Sequence, residues 1–297
     1  MNIQTLDLNF QNTPESIASY LIWGSDEPVL VETGPGSTLP TLLENLSQQG
    51  LQPADIKHIL VTHIHFDHAG SVGWWAQQGA QIYVHPFGAK HLIDPAKLIA
   101  SATRIYGDKM DTLWGDILPA PAEKVTEIFD NDTVEVAGLS FQVLETPGHA
   151  RHHHVYRLGD IAFTGDAAGI KIPGSPLVGL PAPPPEFERE VWQTTINRLR
   201  TLDVQTIYPT HFGPTPNTPT HWDELWQLMD DSAEFVKAWM DAGVPRDEIV
   251  TAFLDWNQER ADAAGLSAAS VQKYMMANPL EMSVDGIMRY WRKREEQ

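Results

Sequence analysis

Four short apolar runs in this chain end in residues that hold metal ions well: HILVTH at His63, FQVLETPGH at His149, IAFTGD at Asp166 and TIYPTH at His211. Strand ends of an open α/β core open onto one crevice, so a fold that accommodates all four brings these side chains together. The first run continues as THIHFDHAG, which places three of the chain's 12 histidines and an aspartate between His63 and His68. Imidazoles and a carboxylate crowded behind a buried strand lose hydration and compete for partners unless a cation satisfies them. His58, His85, His91 and His221 stand singly, as histidines with ordinary hydrogen-bond partners do.

The surrounding pattern is α/β. SYLIWG and PVLVETG read as strands about a charged turn at Ser25–Pro28, and STLPTLLENLSQQG as a helix with Leu39, Leu42, Leu43 and Leu46 on one face and Gly50 as its stop. HILVT, QIYVHP, VTEIF, TVEVAG, LSFQVLETPG, IAFTGD and TIYPTH supply further strands, and AGSVGWWAQQG and the stretch from about Glu186 to Leu202 supply helices. Two segments interrupt this order. Residues 86–122 read as a helical insert, and residues 172–185 hold six prolines, which enforce extended backbone. That proline-rich segment is either a stiff connector or a rim of the site, which it enters six residues past Asp166. Beyond Pro219 the pattern is helical, so the chain divides into a catalytic domain at 1–216 and a helical extension at 217–297.

Composition narrows the function. A net charge of −19 opposes binding to nucleic acid, which needs a basic footprint, and to anionic membrane surfaces. The absence of cysteine removes disulfides, thiolate ligands and cysteine nucleophiles together. No apolar run approaches the ~20 residues of a membrane span, and no secretory signal opens the chain, so a cytoplasmic protein acting on a small molecule is expected.

Ligand counting gives the site its form. His63 and His65, two apart in a turn, can face one ion with His149, while Asp67 and His68 can face a second with His211. Asp166 can bridge them with its two oxygens. Nitrogen and oxygen donors of this kind suit two divalent cations, Zn2+ in the first place and Fe2+ or Mn2+ as alternatives.

THIHFDHAG, TPGHARHH, FTGDA and YPTHFGP, in this order across residues 15–215, resemble the metallo-β-lactamase fold superfamily. The resemblance implies a four-layer αββα sandwich with a dinuclear site between the sheet edges, and the same seven ligands: His63, His65 and His149, then Asp67, His68 and His211, with Asp166 bridging. One position departs from the family. VETGPG carries Glu32 where aspartate is usual; the family role is support beneath the ligands, and Glu32 is not assigned to the metal.

The expected activity is direct hydrolysis of a small ester, thioester or lactone by metal-activated water, with Asp67 as the catalytic carboxylate that orients the water and handles its proton. The ligand set is similar to that of glyoxalase II, lactonases and tRNA-processing nucleases, the last disfavoured by charge. True β-lactamases generally lack the bridging aspartate and are exported. A mononuclear iron dioxygenase or other redox enzyme of the same fold, a phosphodiesterase and a non-catalytic metal protein are the alternatives; His65 stands where flavodiiron proteins carry glutamate. Substrate contacts are not assigned: Arg104, Tyr106 and Trp114 of the insert are possible walls, and His152, His153 and His154 are expected chiefly to make ordinary hydrogen bonds, with His153 turned to the site if its segment is extended.

Overall fold

The computed structural model describes residues 2–25 and 27–296; the charged turn at Ser25–Pro28 includes Asp26, which lies outside them. Among the described residues twelve strands form two mixed sheets. The first orders β1 (Asn2–Asp7), β2 (Ala18–Trp23), β3 (Pro28–Val31), β4 (His58–Leu60), β5 (Gln81–Val84) and β6 (Val125–Glu127), antiparallel through β3 and parallel beyond it. The second runs in reverse order from β12 (Thr215–Pro216) through β11 (Thr206–Tyr208), β10 (Ile161–Phe163), β9 (His154–Leu158) and β8 (Leu139–Glu145) to β7 (Thr133–Val136). Its β10–β11 pair is parallel and the other pairs are antiparallel.

Side-chain alternation builds the layers. Tyr20, Ile22, Val29, Val31 and Leu60 of the first sheet point inward against Phe141, Val143, Tyr156 and Phe163 of the second. Leu21, Leu30, Ile59 and Ile82 point the other way, into Leu42 and Leu46 of helix Leu39–Gln48 and Trp75 of helix Val72–Gln77. Val155, Ala162 and Ile207 meet Trp192 and Ile196 of helix Arg189–Leu199. The result is helix, sheet, sheet, helix. Each large apolar side chain buried in these layers contributes about 1.5–3 kcal/mol.

The C-terminal helices Pro219–Asp241, Arg246–Ala263, Ala268–Ala277 and Leu280–Glu295 do not form a core of their own. Trp222, Leu225, Met229, Phe253 and Ile287 share one apolar cluster with Trp192 and Val155. No helix among the described residues is long and apolar enough to cross a membrane.

Several elements differ from the sequence reading. β1 has no counterpart there, because an edge strand with Leu6 as its one buried residue shows little alternation. β9 begins with a histidine and is hidden by the run His152–His154. The strands HILVT, IAFTGD and TIYPTH stop early, at Leu60, Phe163 and Tyr208, and the helix expected from Glu186 starts at Arg189 and ends at Leu199. The shortened strands matter most, since they leave the ligand-type residues on loops and short helical turns beyond the sheet ends.

Candidate metal centre

Those loops meet where the two sheets part. His63, His68, His149, Asp166 and His211 are buried, whereas His65 and Asp67 are half-buried. All seven predicted residues converge. His63 Nε2, His65 Nδ1 and His149 Nε2 form a triangle with sides of 3.0, 3.1 and 3.2 Å. Asp67, His68 and His211 form a second group, with Asp67 Oδ2 3.3 Å from His211 Nε2 and 3.7 Å from His68 Nε2. Asp166 stands between them: Oδ2 lies 3.4 Å from His149 Nε2, while Oδ1 lies 3.3 Å from His68 Nε2 and 3.7 Å from His211 Nε2.

Hydrogen bonds at the far ring atoms define which nitrogens carry lone pairs. His149 Nδ1–H donates to Pro181 O at 2.8 Å, and His211 Nδ1–H donates to Ser16 O at 2.7 Å. Thr62 Oγ1–H donates to Glu32 Oε1 at 2.5 Å, so the 3.1 Å contact with His63 is a donation from His63 Nδ1–H to Thr62 Oγ1. The Nε2 atoms of His63, His149 and His211 therefore present lone pairs to the centre. Two of these and a His65 nitrogen face one another at contact distance. In a tetrahedral site with bonds of ~2.0–2.1 Å, ligand nitrogens stand roughly 3.3–3.4 Å apart, so the triangle fits a cation. His68 Nε2, Asp166 Oδ1 and His211 Nε2 are likewise buried without hydrogen-bond partners, an expensive condition unless an ion meets them.

Electrostatics divides the two groups. Burial lowers the pKa of His63, His65 and His149, that of His65 to about 3, so these imidazoles are neutral donors. Burial acts the same way on His68 and His211, but Asp166 and Asp67 outweigh it and raise both. Burial likewise opposes the charged form of Asp67, yet His68 and His211 override it and hold the carboxyl at about 2. The carboxylates of Asp67 and Asp166 and the rings of His68 and His211 thus stabilise one another's charge, and a bound cation would stand in for the protons on those rings.

Glu32 resolves the departure noted in the sequence. It is fully buried at the end of β3 with φ of 66°, in the left-handed region, a backbone cost that favours a positional role. Its longer side chain brings Oε1 to Thr62 Oγ1 and to 3.5 Å from His68 Nδ1, so one carboxylate orients His63 through Thr62 and approaches His68 directly. Glu32→Gln keeps the shape and removes the charge. Metal affinity is expected to fall about 10–100-fold, measured by competition with a chromogenic chelator; unchanged affinity would make Glu32 a packing residue.

Other residues support the centre from further out. Gly165 holds φ of 49°, and a Cβ there would stand 2.4 Å from Thr62 Oγ1, so glycine lets the Asp166 turn approach. His153 Nδ1 pairs with Thr146 Oγ1 at 2.8 Å, while its Nε2 accepts the Asp166 backbone N–H at 3.2 Å. It turns to the site as alternation suggests, but beneath Asp166 rather than in the cleft. His152 faces Glu186 at 3.2 Å, and His154 is buried against His85. Trp192 Nε1–H donates to Ala167 O and His221 Nε2–H to Ala168 O, pinning the same turn from two helices. Tyr20 OH donates to Pro209 O in the loop before His211. His58 and His85 have the ordinary partners expected of them, Tyr83 and Glu27 for the first and Phe87 N–H for the second.

The insert contributes unevenly. Arg104 is exposed, and Trp114 is packed against Phe10 and Phe66. Tyr106, edge-on to Trp114, is close enough to feel the charges of Asp67 and Glu281, and its burial raises its pKa. The proline-rich segment is a strap at the site's edge, since Pro181 O fixes His149.

Residues 12–211 match the family model described as the metallo-beta-lactamase superfamily. A metallo-beta-lactamase fold-containing protein of Sulfurisphaera tokodaii, ST1585, is 27% identical over 206 residues, covering 67% of this chain and 74% of its own. Hydroxyacylglutathione hydrolase of Albidiferax ferrireducens is 31% identical over 159 residues, covering 52% of this chain and 49% of its own. The crystal structure of the metallo-beta-lactamase family protein TTHA1429 from Thermus thermophilus covers 99% of this chain and 94% of its own, at a TM-score of 0.69 and 23% identity, so the likeness of fold extends through the C-terminal helices.

Proposed function

The chain belongs to the metallo-beta-lactamase superfamily, and on that premise we propose that it is a metal-dependent hydrolase of a small ester, thioester or lactone. In this reading His63, His65 and His149 hold one divalent cation, Asp67, His68 and His211 hold a second, and Asp166 spans the two. The observation that carries it is the convergence of imidazole lone pairs at 3.0–3.2 Å beside a carboxylate with one oxygen toward each group. When bound, divalent cations supply a water of lowered pKa and polarise a substrate oxygen. Zn2+ suits the set of five imidazoles and two carboxylates, with Fe2+ or Mn2+ as alternatives.

The protein's own residues do the rest. Pro181 O, Ser16 O and Thr62 fix the rings of His149, His211 and His63, so little reorganisation is needed as charge develops. Asp67 is the more accessible carboxylate, its side chain 21% exposed against 4% for Asp166. It orients the attacking water and takes its proton. A chain without cysteine has no thiol nucleophile, and this arrangement needs none. The relative named hydroxyacylglutathione hydrolase supports an acyl substrate.

Metal analysis of protein purified without added metal, followed by a panel of thioesters, lactones, aryl esters and phosphodiesters, tests the reading. Two metal equivalents and turnover of an acyl substrate that chelator abolishes and added metal restores are expected. One iron per chain with oxygen uptake would replace hydrolysis by oxidation.

A further inference from the structure

A cavity of about 300 Å3 lies between residues 177–180 of the strap and the helices Pro219–Asp241, Arg246–Ala263 and Ala268–Ala277. None of the seven residues of the metal centre lines it. Its wall is largely apolar, built from Ile170, Val178, Leu228, Phe253 and Tyr274. At about 30 Å3 for each water-sized group, it has room for roughly ten non-hydrogen atoms.

One charged group on this wall lacks the partner such groups normally have. Arg260 is half-buried, and its described partners are Asn257 Oδ1 at 3.3 Å and the face of Trp256, with Glu224 and Asp231 acting on it from further away. The chain has 39 acidic residues against 20 Lys and Arg, so a half-buried guanidinium held by an amide and a ring, with no carboxylate in contact among the described residues, stands out. The same wall carries Asn257, Gln258, Asn278 and the exposed Asp255, and a guanidinium beside an apolar surface is the kind of polar group that orients a small molecule in a pocket.

We propose that this cavity binds a medium-chain monocarboxylate, its hydrocarbon body against the apolar wall and its carboxylate on Arg260. The site is independent of the metal chemistry. Calorimetric titration of the metal-loaded protein with decanoate, decan-1-ol and decylamine tests it. Decanoate is expected to bind with a Kd on the order of 100 µM, and decylamine at least about tenfold more weakly. Arg260→Gln should weaken decanoate about tenfold and leave decanol unchanged, Ala261→Phe should abolish binding of both by filling the cavity, and His65→Ala should leave decanoate binding intact. No binding of decanoate at millimolar concentration would overturn the proposal, as would binding that Arg260→Gln leaves unaltered. Loss of decanoate binding in His65→Ala would place the ligand at the metals and overturn it too. If Ala261→Phe fails to fold, the head-group series and Arg260→Gln still decide.

Discussion

His65→Ala is expected to lose metal and activity together. Its Nδ1 closes the triangle with His63 and His149 at 3.0 and 3.1 Å, and its removal leaves two imidazoles and a shared carboxylate oxygen for that ion. Residues that merely orient ligands cost about 10–100-fold in affinity or activity when replaced, so a direct ligand should cost more than about a hundredfold. The variant should fold, because His65 is half-buried at the start of the short helix Phe66–Ala69 and its ring fills no core position. The check is metal content by mass spectrometry alongside hydrolysis of the preferred panel substrate. Full occupancy with full activity would remove His65 from the centre.

Asp67→Ala is expected to lower turnover by about 10²–10⁴-fold, the range for losing a positioned general base. Unlike Asp166, Asp67 is partly exposed, and His68 and His211 keep it ionised. Substitution leaves His211 Nε2 with Asp166 Oδ1 at 3.7 Å as its remaining carboxylate, so some metal loss should accompany the loss of rate. Supplying excess metal separates the two effects. A deficit in kcat that persists at saturating metal identifies Asp67 with proton handling, whereas full rescue would limit it to metal retention.

Much of the centre is legible in the sequence because its residues occur where short apolar runs end. The cluster His63–His68 announces itself by cost: three imidazoles and a carboxylate have no structural use at that density. His149, Asp166 and His211 are legible as the ends of FQVLETPGH, IAFTGD and TIYPTH, although the strands stop at Glu145, Phe163 and Tyr208 and loops carry the ligands the rest of the way. What is not legible depends on long-range contact. Tyr20 against Pro209 and His221 against Ala168 act across the fold, and nothing local distinguishes them from ordinary core residues, while alternation gives the side to which His153 turns but not its place beneath Asp166. Glu32 is visible as a departure, but its reach to Thr62 and His68 follows from one methylene and a left-handed backbone that no pattern encodes. The proline-rich strap reads as connector or rim, and it holds His149 through a carbonyl, a group that every residue carries. The helical tail is legible as helix, yet its packing against Trp192 and Val155 needs the sheet it covers.

Anomalous scattering at the zinc edge, from crystals grown with Zn2+, bears most directly on the centre. The expected map has one peak enclosed by His63, His65 and His149 and a second by Asp67, His68 and His211, with Asp166 reaching both. Peaks elsewhere, or none among these seven side chains, would contradict a metal-dependent hydrolase built on them.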